Sequence, residues 1–561
     1  MGAQQEAKTV LDPATFAVLT RNFVAIAREM STNLIHSAYS PVIREAADAS
    51  TAFLDHHGRV MAQAENIPLH LNSIPPAFAA CLAKFGAPGS EDEVWINNDP
   101  YSGGQHLSDI FLFTPVFYGE ELLGYTASVG HYIDLGHSLG FNLHARDMFE
   151  ERIRFSPMRF SLERDWNGGL LEQIIASNVR MPRYVIGDIN AQLTANLTGA
   201  DRLRALAQKY GVDTLLVAYD RYLDYAEHRM RAQIREIPNG MYEAEDWVDD
   251  NGLGSDPIRI RVKVTVSDED ITADFSGTGD EVESAINCPR ASTVSAVLSA
   301  VKCAMNNPDL PLNAGCYRPV RVEHIPEGSI LNPTPPHAVE ARALPVIRVF
   351  SAVIKALARA VPELVAATGY DTRTAVDLHY RSGEEHVGFS DLYGGGYGAS
   401  CRADGADQID DPLGNCTNTP VEAFENAQEF FRITEYALIR DSGGPGFHRG
   451  GLGARRSYEI LSDGVYMTVY SDRFKTRPEG LAGGHPGTTA RIDIYRADGE
   501  NESFPSKGST VLNRGDRVTV SIGGGGGYGD PLDRPRQVVE SDLRNDRVSP
   551  EAARERYGYE S

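Results

Sequence analysis

The sequence predicts an α+β fold in two parts: a large mixed α/β N-terminal part, residues 1–237, and a β-rich C-terminal part with inserted helices, residues 238–561. Three observations carry this. Phe16, Leu19, Phe23, Ile26, Met30 and Leu34 recur at steps of three and four, the period of one helix face. A helical block runs to Ile234 and stops before Pro238-Asn239-Gly240, a strong turn signal. Beyond that turn, IRIRVKVTVSD (258–268) and RVTVSI (517–522) alternate polar and apolar residues, as half-buried strands do.

The first helix opens at Asp12-Pro13, with Asp as the cap and Pro at the first helical position. Ser50–Leu54 and Val60–Ala64 flank His56-His57-Gly58 and read as a hairpin. Pro75-Pro76 opens another helix, which ends near Gly86. Residues 94–135 read as strands broken by Gly and Pro. Leu170–Ile175 and Ile189–Tyr210 read as helices, the second closed by Gly211, and Leu215–Ile234 extends the block. In the C-terminal part, Ala291–Met305 and Val346–Val361 read as apolar helices. Ser549-Pro550-Glu551 starts a short last helix with Ser as its cap. No internal repeat at a fixed period is visible.

The formal net charge is −24, which repels phosphate backbones and anionic lipid, so neither nucleic acid nor membrane is expected as a partner. No apolar run approaches the roughly 18 residues of a membrane span. The N-terminal residues MGAQQEAKTVLDPATF lack a basic region followed by an apolar block, so a cytoplasmic protein is expected. The six Cys (Cys81, Cys288, Cys303, Cys316, Cys401 and Cys416) form no CxxC pair and read as free thiols of a reducing compartment.

The stretch NNDPYSGGQHLSDIFLFTP (97–115) places His106 and Asp109 at the mouth of a strand. ASVGHYIDLGHSLG repeats the His-x-x-Asp spacing at His131 and Asp134. Imidazole nitrogen with carboxylate oxygen suits Zn, Mn or Fe(II), and Asp48 adds an oxygen from the start of another strand. Within a strand, residues i and i+3 point to opposite faces, so each pair can share a cation only where the backbone turns. Gly-flanked Asp and His also serve as turn residues without any metal. His70, His137 and His144 are further candidates, with a structural role expected for His70.

The glycine stretches 393–400, 442–453 and 521–530 fit neither GxxxxGK[ST] nor a strand-to-helix GxGxxG. They read as tight turns with positive φ, or as close backbone approach at an interface. Arg449, within the second, reads as structural before anion-binding. No GxSxG elbow is present, so serine-hydrolase chemistry has no support.

NDPYSGGQHLSDIFLFTPVF resembles the signature stretch of the hydantoinase B/oxoprolinase family. So do IREAADASTAFLD, NVRMPRYVIGDINAQLTAN, DFSGTGDEVESAINCP, GSILNPTPPHAVEAR, DSGGPGFHRGGLGARR and GGGGGYGDPLDRP, in order along nearly the whole chain. The resemblance implies a hydantoinase B-like fold. It also implies the B-type subunit of an ATP-dependent cyclic-amide hydrolase, completing ring opening after the partner subunit has activated the small-molecule substrate with ATP. The implied partner is a hydantoinase A-type subunit that binds the ATP, in a hetero-oligomer such as a dimer of heterodimers. The implied metal ligands are the residues matching the family motifs: His106, Asp109, His131 and Asp48. Asp134 is then expected to orient an imidazole, and Asp48 or Asp134 to accept a proton. A ketone carboxylase subunit and a non-catalytic partner of an A-type subunit are the alternatives. The sequence departs from the family's commoner pattern at Gly136-His137, at Glu151-Arg152 and at REAAD (44–48).

Overall fold

The computed structural model describes residues 11–64, 66–137, 142–383, 385–414, 420–422 and 429–560. Cys416 lies outside them; Cys81, Cys288, Cys303, Cys316 and Cys401 are free thiols. The fold is the expected mixture of helices and several sheets. Among the described residues no helix is long and apolar enough to cross a membrane.

The first helix spans Pro13–Ser37, and Asp12 caps it by accepting the N–H groups of Ala14 and Thr15, each at 3.0 Å. Leu19, Phe23, Ile26, Met30 and Leu34 form its buried face, as their spacing requires. That face packs on a six-stranded sheet and on the long helix Pro182–Tyr210. The sheet contains β1 (Ala49–Asp55), β2 (Val60–Gln63), β3 (Glu93–Asn97), β4 (Asp109–Tyr118), β5 (Glu121–His131) and β6 (Met158–Ser161), in the order β2-β1-β5-β4-β3-β6. All its pairs are antiparallel.

The helix read from Ile189 begins earlier, at Pro182. Two residues disguise its first turns. Gly187 leaves room for the Tyr39 ring, whose Cγ lies 2.5 Å from where a Cβ would stand. Buried Asp188 turns away from its own helix and accepts the N–H groups of Tyr39 and Ser40 at 2.7 and 3.0 Å. Tertiary contacts thus override the local pattern.

After Ile234 the chain enters a four-stranded sheet of β7 (Gly240–Val248), β8 (Ile258–Ser267), β9 (Asp270–Asp274) and β10 (Val320–His324), with β10 parallel to β9. β8 alternates buried positions with half-buried or exposed ones along its length. The helices Arg290–Cys303 and Ala343–Ala358 belong to the same core as this sheet. The second begins three residues before the expected Val346, because Pro345 is accommodated in its first turn.

Two further sheets make a sandwich. One holds β11 (Thr374–Ser382), β12 (Glu385–Tyr393), β15 (Val465–Tyr470) and β18 (Lys507–Leu512). The other holds β13 (Phe431–Leu438), β14 (Ala454–Ile460), β16 (Arg491–Tyr495), β17 (Asn501–Phe504) and β19 (Arg517–Ser521). Leu378, Met467 and Val469 from the first meet Tyr458, Ile492 and Val518 from the second in one core.

The glycine stretches settle as close backbone approach within the chain. Gly523–Gly527 carry no left-handed φ. The segment runs extended through a cage of other backbones. A Cβ at Gly525 would stand 2.0 Å from the Tyr397 carbonyl oxygen, and one at Gly526 would stand 2.1 Å from that of Glu479. Neighbouring segments hydrogen-bond to it: Gly525 N–H to Gly451 O at 3.0 Å, Gly526 N–H to Thr368 O at 2.8 Å and Gly444 N–H to Gly525 O at 2.8 Å. Arg449 is structural: buried, it donates to Gly450 O and to Asp407.

Candidate metal centre

Asp109 opens β4, and its partner across the ladder is His131, the last residue of β5. Directly opposed residues in an antiparallel pair put their side chains on one face. On the other side of β5 the His131 N–H donates to the Asp48 carbonyl at 3.1 Å, one residue before β1. Asp48, His131 and Asp109 thus form a row across the ends of three adjacent strands.

His106 joins from outside the ladder. It sits in a turn closed by the Asp109 N–H donating to His106 O at 3.1 Å. The turn removes the opposite-face objection to the His-x-x-Asp spacing. Its approach is shaped by Asp99, which caps the short helix Pro100–Ser102, and by Gly103, whose φ of 84° a side chain would strain. A Cβ on Gly103 would also meet the backbone of Pro76 at 2.4 Å.

His106 Nε2 lies 2.9 Å and His131 Nδ1 3.0 Å from the same oxygen, Oδ1 of Asp109. These three ligand atoms lie within 4.8 Å of one another. Asp109 is fully buried and His106 is 4% exposed. The other Asp109 oxygen, Oδ2, accepts from Arg342 Nη2 at 2.5 Å and faces His70 Nε2 at 3.5 Å. Burial alone would raise the Asp109 carboxyl; His106, Arg342 and His70 outweigh it and hold the carboxyl well below its ordinary range.

The tautomer of His106 is the informative detail. Its Nδ1 lies 2.9 Å from the carbonyl oxygen of Glu340, which can only accept, so Nδ1 carries the proton. In the neutral ring, Nε2 then presents a lone pair to a carboxylate oxygen 2.9 Å away. A second proton on the ring would relieve that contact. However, burial first and Arg342 second push the imidazole down to about 4. A cation between the two acceptors relieves it without charging the ring, and metal ions take the neutral imidazole. The imidazole-to-carbonyl bond is also the usual way in which a ligating His is oriented.

Asp48 lies beside this cluster. Its Oδ1 is buried, has no hydrogen-bond partner among the described residues, and stands 3.6 Å from His70 Nε2. Its Oδ2 lies 4.0 Å from Arg373 Nη1. A buried carboxylate oxygen with no donor is costly, and it fits an additional ligand. Asp134 stands apart from the cluster. Its Oδ1 accepts the Gly136 N–H at 3.0 Å, and its Oδ2 accepts the N–H of Met181 at 2.8 Å and that of Arg180. Those bonds tie the residues after β5 to the start of the helix at Pro182. His137 and His144 are exposed and outside the cluster.

The pattern reading missed Glu340 and Arg342, which lie more than 230 residues from His106 and Asp109 in sequence. The signal was present in GSILNPTPPHAVEAR, which carries both. His70, expected to be structural, is brought between Asp48 and Asp109.

A sequence model described as Hydantoinase B/oxoprolinase matches residues 12–531. The B-type subunit of a putative D-/L-hydantoinase from a Pseudomonas species is 30% identical over 569 residues, covering 98% of this chain and 95% of that one. The beta chain of the caprolactamase from Pseudomonas jessenii is 30% identical over 563 residues, covering 98% and 96%. The crystal structure of ATP-dependent caprolactamase from that organism superposes with a TM-score of 0.89 at 30% identity, over 98% of this chain and 96% of that one. A nucleotide-free acetone carboxylase shares the fold, with a TM-score of 0.88 at 18% identity over 98% and 80%. A match that runs from the first helix to the glycine cage, with relatives aligned end to end, leaves one conclusion: the chain belongs to the hydantoinase B/oxoprolinase family.

Proposed function

We propose that the chain is the metal-dependent B-type subunit of an ATP-dependent cyclic-amide hydrolase, paired with a hydantoinase A-type subunit that activates the substrate. The single observation behind the metal is the pair of facing acceptors, His106 Nε2 and Asp109 Oδ1, at 2.9 Å. The residues holding a divalent cation (Zn, Mn or Fe) would be His106, His131 and Asp109, with Asp48 as the additional oxygen donor. Such a cation supplies Lewis acidity and lowers the pKa of water toward about 7.

The chain's own residues do the rest. Arg342 occupies Oδ2 of Asp109 and so turns Oδ1 toward the imidazoles. The Glu340 carbonyl fixes the tautomer of His106. The surrounding burial excludes water, which strengthens every charge interaction there. Asp48 is the carboxylate placed to accept a proton through Oδ2, which stands 4.0 Å from Arg373 Nη1 and leaves Oδ1 as the donor to the cation. Asp134 has its oxygens on backbone N–H groups, and we assign it to holding the segment after His131 in place.

Two relatives at 30% identity carry names of cyclic-amide enzymes, which favours ring opening over ketone carboxylation. The deciding experiment co-purifies the chain with its A-type partner. It then follows ATP-dependent turnover of hydantoin, 5-oxoproline, caprolactam and acetophenone, with and without bicarbonate. Ring opening that needs ATP and no bicarbonate is expected. Bicarbonate-dependent carboxylation of the ketone, with every ring left closed, would overturn the reading.

A further inference from the structure

We propose that Glu151 and Arg152 are positioning residues for His106, acting through Glu340. This rests on the reading that the His106 site takes a divalent cation. The Glu340 carbonyl oxygen decides which imidazole nitrogen faces Asp109. That carbonyl lies in the 340–341 peptide, whose N–H, on Ala341, donates to Ala285 O at 2.8 Å; its direction also depends on the φ and ψ of residue 340, set by what holds that residue's own N–H and side chain.

Glu151 holds the N–H side. It is fully buried, and its Oε1 accepts the N–H groups of both Val339 and Glu340 at 2.6 Å. Arg152 holds the side chain. It is 4% exposed, and its Nε donates to Glu340 Oε1 at 2.7 Å. Ser108 Oγ, inside the turn between His106 and Asp109, donates to that same oxygen at 3.1 Å. Residue 340 is therefore clamped at its N–H, at its carboxylate and at its carbonyl. Rotation of its peptide would take the acceptor from Nδ1 and release the ring to either tautomer, so Nε2 would no longer be committed to the cluster. The clamp also joins the two parts of the chain, since residues 151–152 follow β5 and residues 339–340 precede the helix Ala343–Ala358.

Burial and the nearby Glu340 side chain push the Glu151 carboxyl well above its ordinary range. Both of its bonds to the backbone end on one accepting oxygen, Oε1, and a glutamine has nearly the shape of the acid and keeps such an oxygen. The roles are therefore separable by substitution. Glu151→Leu and Arg152→Met are expected to weaken Zn²⁺ affinity, measured by competition with a chromogenic chelator, by about 10–100-fold. They should also shift the visible absorption of the Co²⁺-loaded protein. Glu151→Gln should remain near wild type in both readouts; Arg152→Met leaves the buried Glu340 carboxylate without its guanidinium and should melt at a lower temperature, so its affinity is measured well below that melting point, where circular dichroism shows it folded. Wild-type affinity in folded Glu151→Leu and Arg152→Met would overturn the proposal, as would equal losses in Glu151→Gln and Glu151→Leu. If Glu151→Leu does not fold, Arg152→Met decides alone. Normal Zn²⁺ uptake by the wild type with unchanged variants defeats this inference and spares the metal site; no uptake by the wild type defeats both.

Discussion

His106 and His131 reach one oxygen of Asp109 from different backbones, a turn and a strand end. On the proposed metal site, removing either ring deletes a ligand and leaves the ladder intact, because Asp109 and His131 pair through their main chains. His131→Ala is therefore expected to lose metal while keeping its melting profile, checked by elemental analysis beside thermal denaturation. Full metal occupancy in that variant would refute its place among the ligands. These residues were legible in the sequence because the His-x-x-Asp spacing recurs within 29 residues beside strand-like runs. The same spacing says less at its fourth member. Asp134 shares the pattern, yet its oxygens cap backbone N–H groups at the mouth of the Pro182 helix. Arg342 and Glu340 were legible only through the family motif that carries them, since nothing local says which carboxylate or ring a distant side chain will meet.

At the level of elements, periodicity identified the first helix, its cap, the hairpin at His56-His57-Gly58 and strand β8. It failed where tertiary contact decides, as at Gly187 and Asp188. The glycine runs show a further limit: composition marks them as special, but their crossing is visible only in three dimensions. Gly525→Ala would set a methyl 2.0 Å from the Tyr397 carbonyl oxygen, and backbone cannot move aside as a side chain can. A loss of about 1–3 kcal/mol or more is expected, read as a lower urea midpoint or as failure to fold. At Gly499 the φ is 95° and nothing lies within 4 Å of a Cβ, so alanine there should cost only about 1 kcal/mol. Equal effects at the two positions would contradict the cage description.

The whole molecule closes around contacts between its two sequence-defined parts. The turn at Pro238-Asn239-Gly240 does separate a helical block from β7, yet Arg342 and Glu340 from beyond it complete the centre at His106. A buried ionic cluster adds another joint. Asp246 near the end of β7 bonds Arg473 Nη2 at 2.8 Å, with Arg348 at 3.8 Å and Lys355 at 3.7 Å. Burial would raise the Asp246 carboxyl, but Arg473, Lys355 and Arg348 together hold it well below its ordinary value. A depressed carboxyl stabilises the fold above its unfolded pKa of about 3.9 and loses that contribution as pH falls through the folded value. Asp246→Asn should therefore cost about 3–5 kcal/mol at neutral pH by leaving buried cations unpaired. It should also flatten the acid side of the pH–stability profile; an unchanged acid limb would show that Asp246 contributes nothing there. The sequence carries no phosphate-loop motif, so the purified chain without its partner is expected to show no ATP hydrolysis, and robust ATPase would count against the division of labour.

The most direct test of the proposed metal centre is anomalous X-ray diffraction from the wild-type protein, recorded at the absorption edges of zinc, manganese and iron. One strong peak is expected, about 2.0–2.3 Å from His106 Nε2, His131 Nδ1 and an Asp109 oxygen. A map with no peak there, and the two rings still bonded directly to Asp109, would contradict a metal-dependent role for this site.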